Sequence, residues 1–179
     1  MVNCQKRQGT TRQRPAVYSL HSPMPSFEHA QNTIIHQSKK GGILTFKKIF
    51  WSITIIIIVI DQTAKYIINA LQPNTFFLRT VHNTGAGFGI LQNQTFMLGI
   101  LSALVAIAVI FFYRKIPQEK WPQVLWALFL GGVIGNLIDR IFRGYVIDFI
   151  EVGFWPAFNI ADAAISIAAI GLIIYFWKR

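Results

Sequence analysis

Four apolar segments, each long enough to cross a bilayer, constrain this chain more than any other feature. They run from about Ile49 to Leu71, Phe96 to Tyr113, Val124 to Phe142 and Phe158 to Trp177. About 20 apolar residues span roughly 30 Å of hydrocarbon as a helix. Within lipid, a helix satisfies its own backbone polar groups, so each segment is expected to be one. The chain of 179 residues is 53% hydrophobic and 13% charged. A soluble domain of this size carries about 25% charged residues. The expected class is a mainly α membrane protein with one four-span domain over residues 46–179. Residues 1–45, rich in Gln, Ser, Thr, Pro and basic residues, read as a disordered basic cytoplasmic extension. The first half of span one could pass for a signal-peptide core. It runs on into Asp61-Gln-Thr-Ala-Lys65 without a small-residue cleavage site, so it reads as a retained span.

The formal net charge of +10 invites a nucleic-acid reading, but its distribution argues otherwise. Of the 17 basic residues, eight precede Phe50 and most others flank apolar segments. That is the pattern of topology signals and of contact with anionic lipid. Lys39, Lys40, Lys47 and Lys48 precede span one; Arg114, Lys115 and Lys120 lie between spans two and three; Lys178 and Arg179 follow span four. If the spans alternate, all of these are cytoplasmic, as are both termini. Loops 72–95 and 143–157 then lie outside, and Arg79, Arg140 and Arg143 are exceptions that suggest local roles. The single Cys4 excludes an intramolecular disulfide, and His21, His29, His36 and His82 lack metal-ligand spacing. No cofactor is expected. The 72–95 loop, with β-branched and aromatic residues between Pro73-Asn74 and Gly85-Ala86-Gly87, reads as a small hairpin on the membrane surface.

All four aspartates, Asp61, Asp139, Asp148 and Asp162, lie within or at the ends of the apolar segments. A charged side chain at the centre of a membrane helix costs roughly 2.5–3.5 kcal/mol on insertion scales, so such residues tend to be paired and functional. Asp148 follows span three and Asp162 opens span four, so both fall near the outer interface and can meet. Two carboxylates sharing a site hold one proton between them, which suits water activation without a metal. The plainer alternative is that Asp162 caps a helix, three residues after Asn159, and that Asp148 is a loop residue. Asp61 and Lys65, at i and i+4, can form an ion pair. Asn136 and Arg140 either line a polar pocket or, with Asp139, form a structural ion-pair region. Asn83-Thr-Gly85 is a turn or a polar finger toward the site. Gly131-xxx-Gly135 reads as close helix packing.

These blocks resemble lipoprotein signal peptidase, the signal peptidase II family of bacterial inner membranes. The matching stretches are Asp61-Gln-Thr-Ala-Lys65, His82-Asn83-Thr-Gly85-Ala86-Gly-Phe88, Gly132-Val-Ile-Gly135-Asn136-Leu-Ile-Asp139-Arg140 with Val146-Ile-Asp148-Phe149, and Asn159-Ile-Ala161-Asp162. The resemblance implies that Asp148 and Asp162 are catalytic. Asn83, Gly85, Asn136, Arg140 and Asn159 would surround them, supported by Asp61, Lys65 and Asp139. It further implies a small outer β-cradle, a short surface helix after span three, and a lipidated prolipoprotein substrate cleaved just before its diacylglyceryl-bearing cysteine. A monomer among membrane lipids is expected, with its site near the outer face. Two rival classes make other use of the acids: a proton-coupled transporter would relay protons through them, and a non-catalytic scaffold would only cap and pair them.

Overall fold

The computed structural model describes residues 27–75, 77–86 and 90–179. The chain divides into two compact units, Met1–Gln37 and Ser38–Arg179. In the first, the described residues are helical from Phe27; the rest of the expected extension, residues 1–26, lies outside the described residues. Helix α1 is Phe27–Leu71, so the disorder expected through residue 45 is replaced by helix from residue 27 onward. From Phe27 to Ser38 there is no proline or glycine, the two residues that most strongly break a helix.

The second unit holds the remaining elements. Helices α2 (Thr95–Phe111), α3 (Lys120–Phe142) and α4 (Ile160–Trp177) follow the apolar segments, with a short 3₁₀ turn at Tyr113–Lys115. Three helical stretches, Thr45–Leu71, Lys120–Phe142 and Ile160–Trp177, are long and apolar enough to cross a membrane. Helix α2 is equally apolar but has 17 residues. At 1.5 Å per residue it is about 25 Å long, just short of a typical hydrocarbon core.

Burial is inverted relative to a water-soluble protein. Ile55, Ile56, Val59 and Ile60 are exposed on α1, whereas Asp61, Lys65, Asn136, Asp139, Asp148 and Asn159 are buried. That is the pattern expected where the surrounding solvent is hydrocarbon and polar groups must find partners inside. One end of the bundle packs Phe50, Ala106, Val109, Ile116, Ala127, Leu130 and Val133. There the Thr54 hydroxyl donates to Phe50 O (2.9 Å) and Ala127 O (3.3 Å), which ties α1 to α3. Close approach depends on α3 glycines. A Cβ at Gly131 would lie 2.9 Å from Ile57 Cβ, and one at Gly135 would lie 2.8 Å from Asp61 Oδ2. The close-packing role expected of this pair is therefore directed at α1.

The opposite end carries a three-stranded antiparallel sheet in the order β1 (Leu78–Asn83), β2 (Val146–Val152), β3 (Trp155–Phe158). Two expectations are corrected here. Among the described residues, the strand in the 72–95 loop does not close a hairpin within that loop. It pairs with β2, with Val81 opposite Asp148 and Asn83 opposite Val146, and among the described residues the local pairing is a single Asn74–Arg79 bridge. The loop residues Phe76, Gly87, Phe88 and Gly89 lie outside the described residues. Nor is there a surface helix after α3: the described residues 143–159 hold β2 and β3 instead. The run Val146-Ile-Asp-Phe-Ile-Glu-Val152 is β-branched and aromatic, a composition that favours strand over helix. Gly144 (φ +77°) ends α3 in the left-handed conformation common just past a helix C-terminus, and Gly153 (φ +57°) turns β2 into β3.

Candidate active site

Helix α1 ends, α3 ends, and α2 and α4 begin at the sheet end of the bundle, and the four aspartates gather there in two sets. The first set is ionic. Lys65 Nζ lies 2.8 Å from Asp61 Oδ2, 2.8 Å from Asp139 Oδ2 and 3.0 Å from Asn136 Oδ1. All three ammonium donors are thereby used. Arg143 forms a second ion pair with Asp139. Gln62 Nε2 donates to Asp61 Oδ2 (3.2 Å), Gly135 O (3.1 Å) and Asp139 Oδ1 (3.1 Å), while its Oε1 accepts from Arg143 (3.2 Å). Two carboxylates thus meet two cations, and each acid also grips backbone. Asp61 Oδ1 accepts the Ala161 N–H (2.9 Å), and Asp139 Oδ2 accepts the Ile147 N–H (3.3 Å). Those two residues immediately precede Asp162 and Asp148.

The second set is held by amides. Asp148 Oδ2 accepts from Asn83 Nδ2 (2.9 Å) and Oδ1 from Asn159 Nδ2 (2.7 Å). Asp162 Oδ1 accepts from Asn136 Nδ2 (2.7 Å) and Oδ2 from the Asn159 backbone N–H (3.2 Å). The oxygen end of each amide is occupied elsewhere. Asn83 Oδ1 accepts from Gly85 N (2.9 Å), Asn136 Oδ1 from Lys65 and Asn159, and Asn159 Oδ1 from Asp162 N (2.9 Å). Every asparagine is therefore oriented with its donors toward a carboxylate. Asn159 touches both acids and is itself fully buried.

Asp162 and Asn159 form a reciprocal capping box at the start of α4. The capping role weighed as the plainer reading is real, and it fixes the position of an acid that also lines a cavity. That cavity, of about 440 Å³, is walled by Asn83, Asn136, Arg140, Asp148 and Asp162 on one side and by Trp155 to Phe158 on another. Its size suits a ligand site, for which roughly 300–1,000 Å³ is usual. Gly85 also borders it; an added Cβ there would lie 2.7 Å from Ile90 O, so the turn that aims Asn83 has no room for a side chain. Burial pushes the Asp148 carboxyl up to about 6, and the neighbouring Asp162 charge adds to the rise. The Asn83 and Asn159 donors and the Lys65 charge oppose it. An acid tuned toward neutrality beside a second acid in a cleft can exchange protons with a substrate.

Of the two readings of Arg140, the ion pair with its neighbour Asp139 does not form, and Arg140 lines the polar cavity with Asn136. Adjacent helix residues point about 100° apart, so Asp139 turns inward to Lys65 and Arg143, while Arg140 turns toward α2 and donates to Ser102 Oγ (3.4 Å). Two contributors, Gln62 and Arg143, carry no assigned place in the site from sequence, although Arg143 stands out there as a basic residue on the outer side. The i, i+4 rule that paired Asp61 with Lys65 also relates Asp139 to Arg143, so that signal was present. Among the described residues, no group of three or more His, Cys, Asp or Glu is disposed to hold a metal ion.

Residues 53–178 match the family model described as Signal peptidase (SPase) II. The chain is 41% identical over 139 residues to the lipoprotein signal peptidase of Moorella thermoacetica, covering 72% of this chain and 91% of that protein. It is 40% identical over 141 residues to that of Teredinibacter turnerae, covering 69% and 84%. Among solved structures, a bacterial membrane enzyme determined by the in meso method at 2.3 Å resolution superposes with a TM-score of 0.66 at 31% identity, covering 72% of this chain and 87% of that one.

Proposed function

The chain belongs to the signal peptidase II family, and from that premise we propose that it is an aspartic endopeptidase removing the signal peptide of diacylglyceryl-modified prolipoproteins. It cleaves just before the lipidated cysteine. The observation that carries this reading is the pairing of Asp148 and Asp162 through Asn159 at one cavity: one amide side chain and its own backbone N–H reach both carboxylates. Four spans cross the bacterial inner membrane, α2 among them, with both termini cytoplasmic. The site then lies near the outer face, where a lipid-anchored substrate arrives laterally and water is available.

In the proposed mechanism the two acids share one proton. The ionised carboxylate takes a proton from water as the water oxygen attacks the scissile carbonyl carbon. The protonated carboxyl gives its proton to the carbonyl oxygen, forming a neutral gem-diol. Collapse of the diol re-forms the carbonyl, breaks the C–N bond and delivers a proton to the departing amine nitrogen, restoring the one-proton pair. Asn83, Asn136 and Asn159 hold the carboxyls in place. Lys65 acts through Asn136 at a distance, and Arg140 donates to the substrate.

The test uses purified protein in lipid nanodiscs with one prolipoprotein supplied in lipidated and unlipidated forms. Cleavage of the lipidated form alone, unaffected by EDTA, is expected. Loss of activity on chelation would point to a metal-dependent reaction and overturn the mechanism.

A further inference from the structure

A second, smaller cavity of about 360 Å³ lies between α2 and α3, bordered by Phe96, Gly99, Ile100 and Ala103 on one helix and Leu137, Arg140 and Ile141 on the other. Those positions recur at helical spacing, so each helix contributes one continuous wall. Except for Thr95 and Arg140 its lining is apolar. Phe96 and Ile141 are 83% and 64% exposed, so the groove opens sideways, away from the bundle. It runs along the first turns of α2 and the last turns of α3, at the same end as the two carboxylates. Arg140 borders both this groove and the catalytic cavity. Its one hydrogen bond among the described residues is the 3.4 Å contact with Ser102. A guanidinium has five N–H donors, so most of Arg140's remain for a ligand. At Gly99 an added Cβ would meet only Arg140 Cβ, at 3.7 Å, which leaves the floor of the groove open.

We infer that this groove is the subsite for an acyl chain of the substrate, with Arg140 donating to the ester carbonyl oxygen at the chain's head. The inference rests on the reading of the substrate as a lipidated prolipoprotein. An apolar slot open to the bilayer and joined to the catalytic cavity by a donor-rich side chain matches a molecule that carries hydrocarbon beside its scissile bond.

The experiment compares two synthetic prolipoprotein peptides whose cysteine carries either a dipalmitoylglyceryl or a dibutyrylglyceryl group. Each is cleaved by the full chain and by Gly99→Leu and Ala103→Leu, which fill the groove from two positions. The long-to-short ratio of kcat/KM should fall by roughly tenfold or more in both variants, the range that a methylene or so commands in an apolar pocket. A ratio unchanged from wild type overturns the subsite, whether the two rates stay high or fall together. Wild-type protein cleaving neither peptide would instead overturn the function on which the inference rests.

Discussion

Asp61 and Asp139 are buried as deeply as Asp148, yet they face cations where Asp148 and Asp162 face amides. The ionic set is neutral by count, with two carboxylates against Lys65 and Arg143. Each of its acids thereby has a cation in direct contact. In the amide set, donors orient the carboxylates without cancelling their charge, which suits the shared proton of the proposed mechanism. Residue type and burial are alike and the partner differs, and on the proposed mechanism that partner separates a supporting acid from a reacting one. The two sets are also joined. Asp61 and Asp139 grip the N–H groups of Ala161 and Ile147, the residues just before the proposed catalytic acids Asp162 and Asp148. The ion-paired acids therefore help to hold the backbone on which the amide-held pair sits.

That contrast can be broken in graded steps. The largest effect is expected from Asp162→Asn, which should lower turnover by about 10⁴-fold or more, as removal of one member of a cooperating catalytic group does; residual cleavage is read by mass spectrometry. Next comes Lys65→Met, which strands Asp61 in a buried site and leaves Asp139 with Arg143 alone. A loss of about 3–5 kcal/mol of stability is expected, measured by unfolding in detergent, because the desolvated charges lose their partner. Neutralising acids singly should then give opposite signs. Asp139→Asn should destabilise at neutral pH. Asp148→Asn should not, because the Asp148 carboxyl sits at about 6 rather than its ordinary 3.8. With the folded value raised, the folded state binds protons more tightly. Its contribution to stability is therefore full below the ordinary value and is lost as pH rises through about 6. The variant should gain on wild type across that window, in thermal unfolding followed from about pH 4 to about pH 7. The smallest effect is a shift in pH profile. Asn83 donates to ionised Asp148, so Asn83→Ala should raise the Asp148 value and move the alkaline limb of kcat/KM upward, by less than about one pH unit. A downward shift would mean that Asn83 does not stabilise the charged form.

The helices and the candidate pair were legible in the sequence for different reasons. Hydrophobic length marks the apolar part of α1 and the helices α2 to α4, but not the polar start of α1 at Phe27, since only a segment in lipid must satisfy its own backbone. The candidate acids stood out because aspartate is costly there. Strand partners were not legible. Alternation and β-branching in residues 76–81 announce a strand, but nothing local announces that its partner is Val146–Val152, beyond two intervening helices. The same distance hid the surface element after α3, where family resemblance implied a helix and the β-rich composition of residues 146–152 prevails. Ion-pair partners were half legible. Spacing of four on a helix related Asp61 to Lys65 and would have related Asp139 to Arg143. Reading Asp139 with Arg140 followed chain adjacency, which on a helix separates side chains. The link from Lys65 across to Asp139 and Asn136 needed the packing of α1 against α3, made possible by Gly131 and Gly135.

The most direct test of the amide-held pair is the cleavage of a diacylglyceryl-modified prolipoprotein by purified Asp148→Asn protein, beside wild type, under one set of conditions. The account predicts an intact fold with unfolding no earlier than wild type at neutral pH, and no released signal peptide. Signal peptide released at the wild-type rate by a folded Asp148→Asn protein would contradict it.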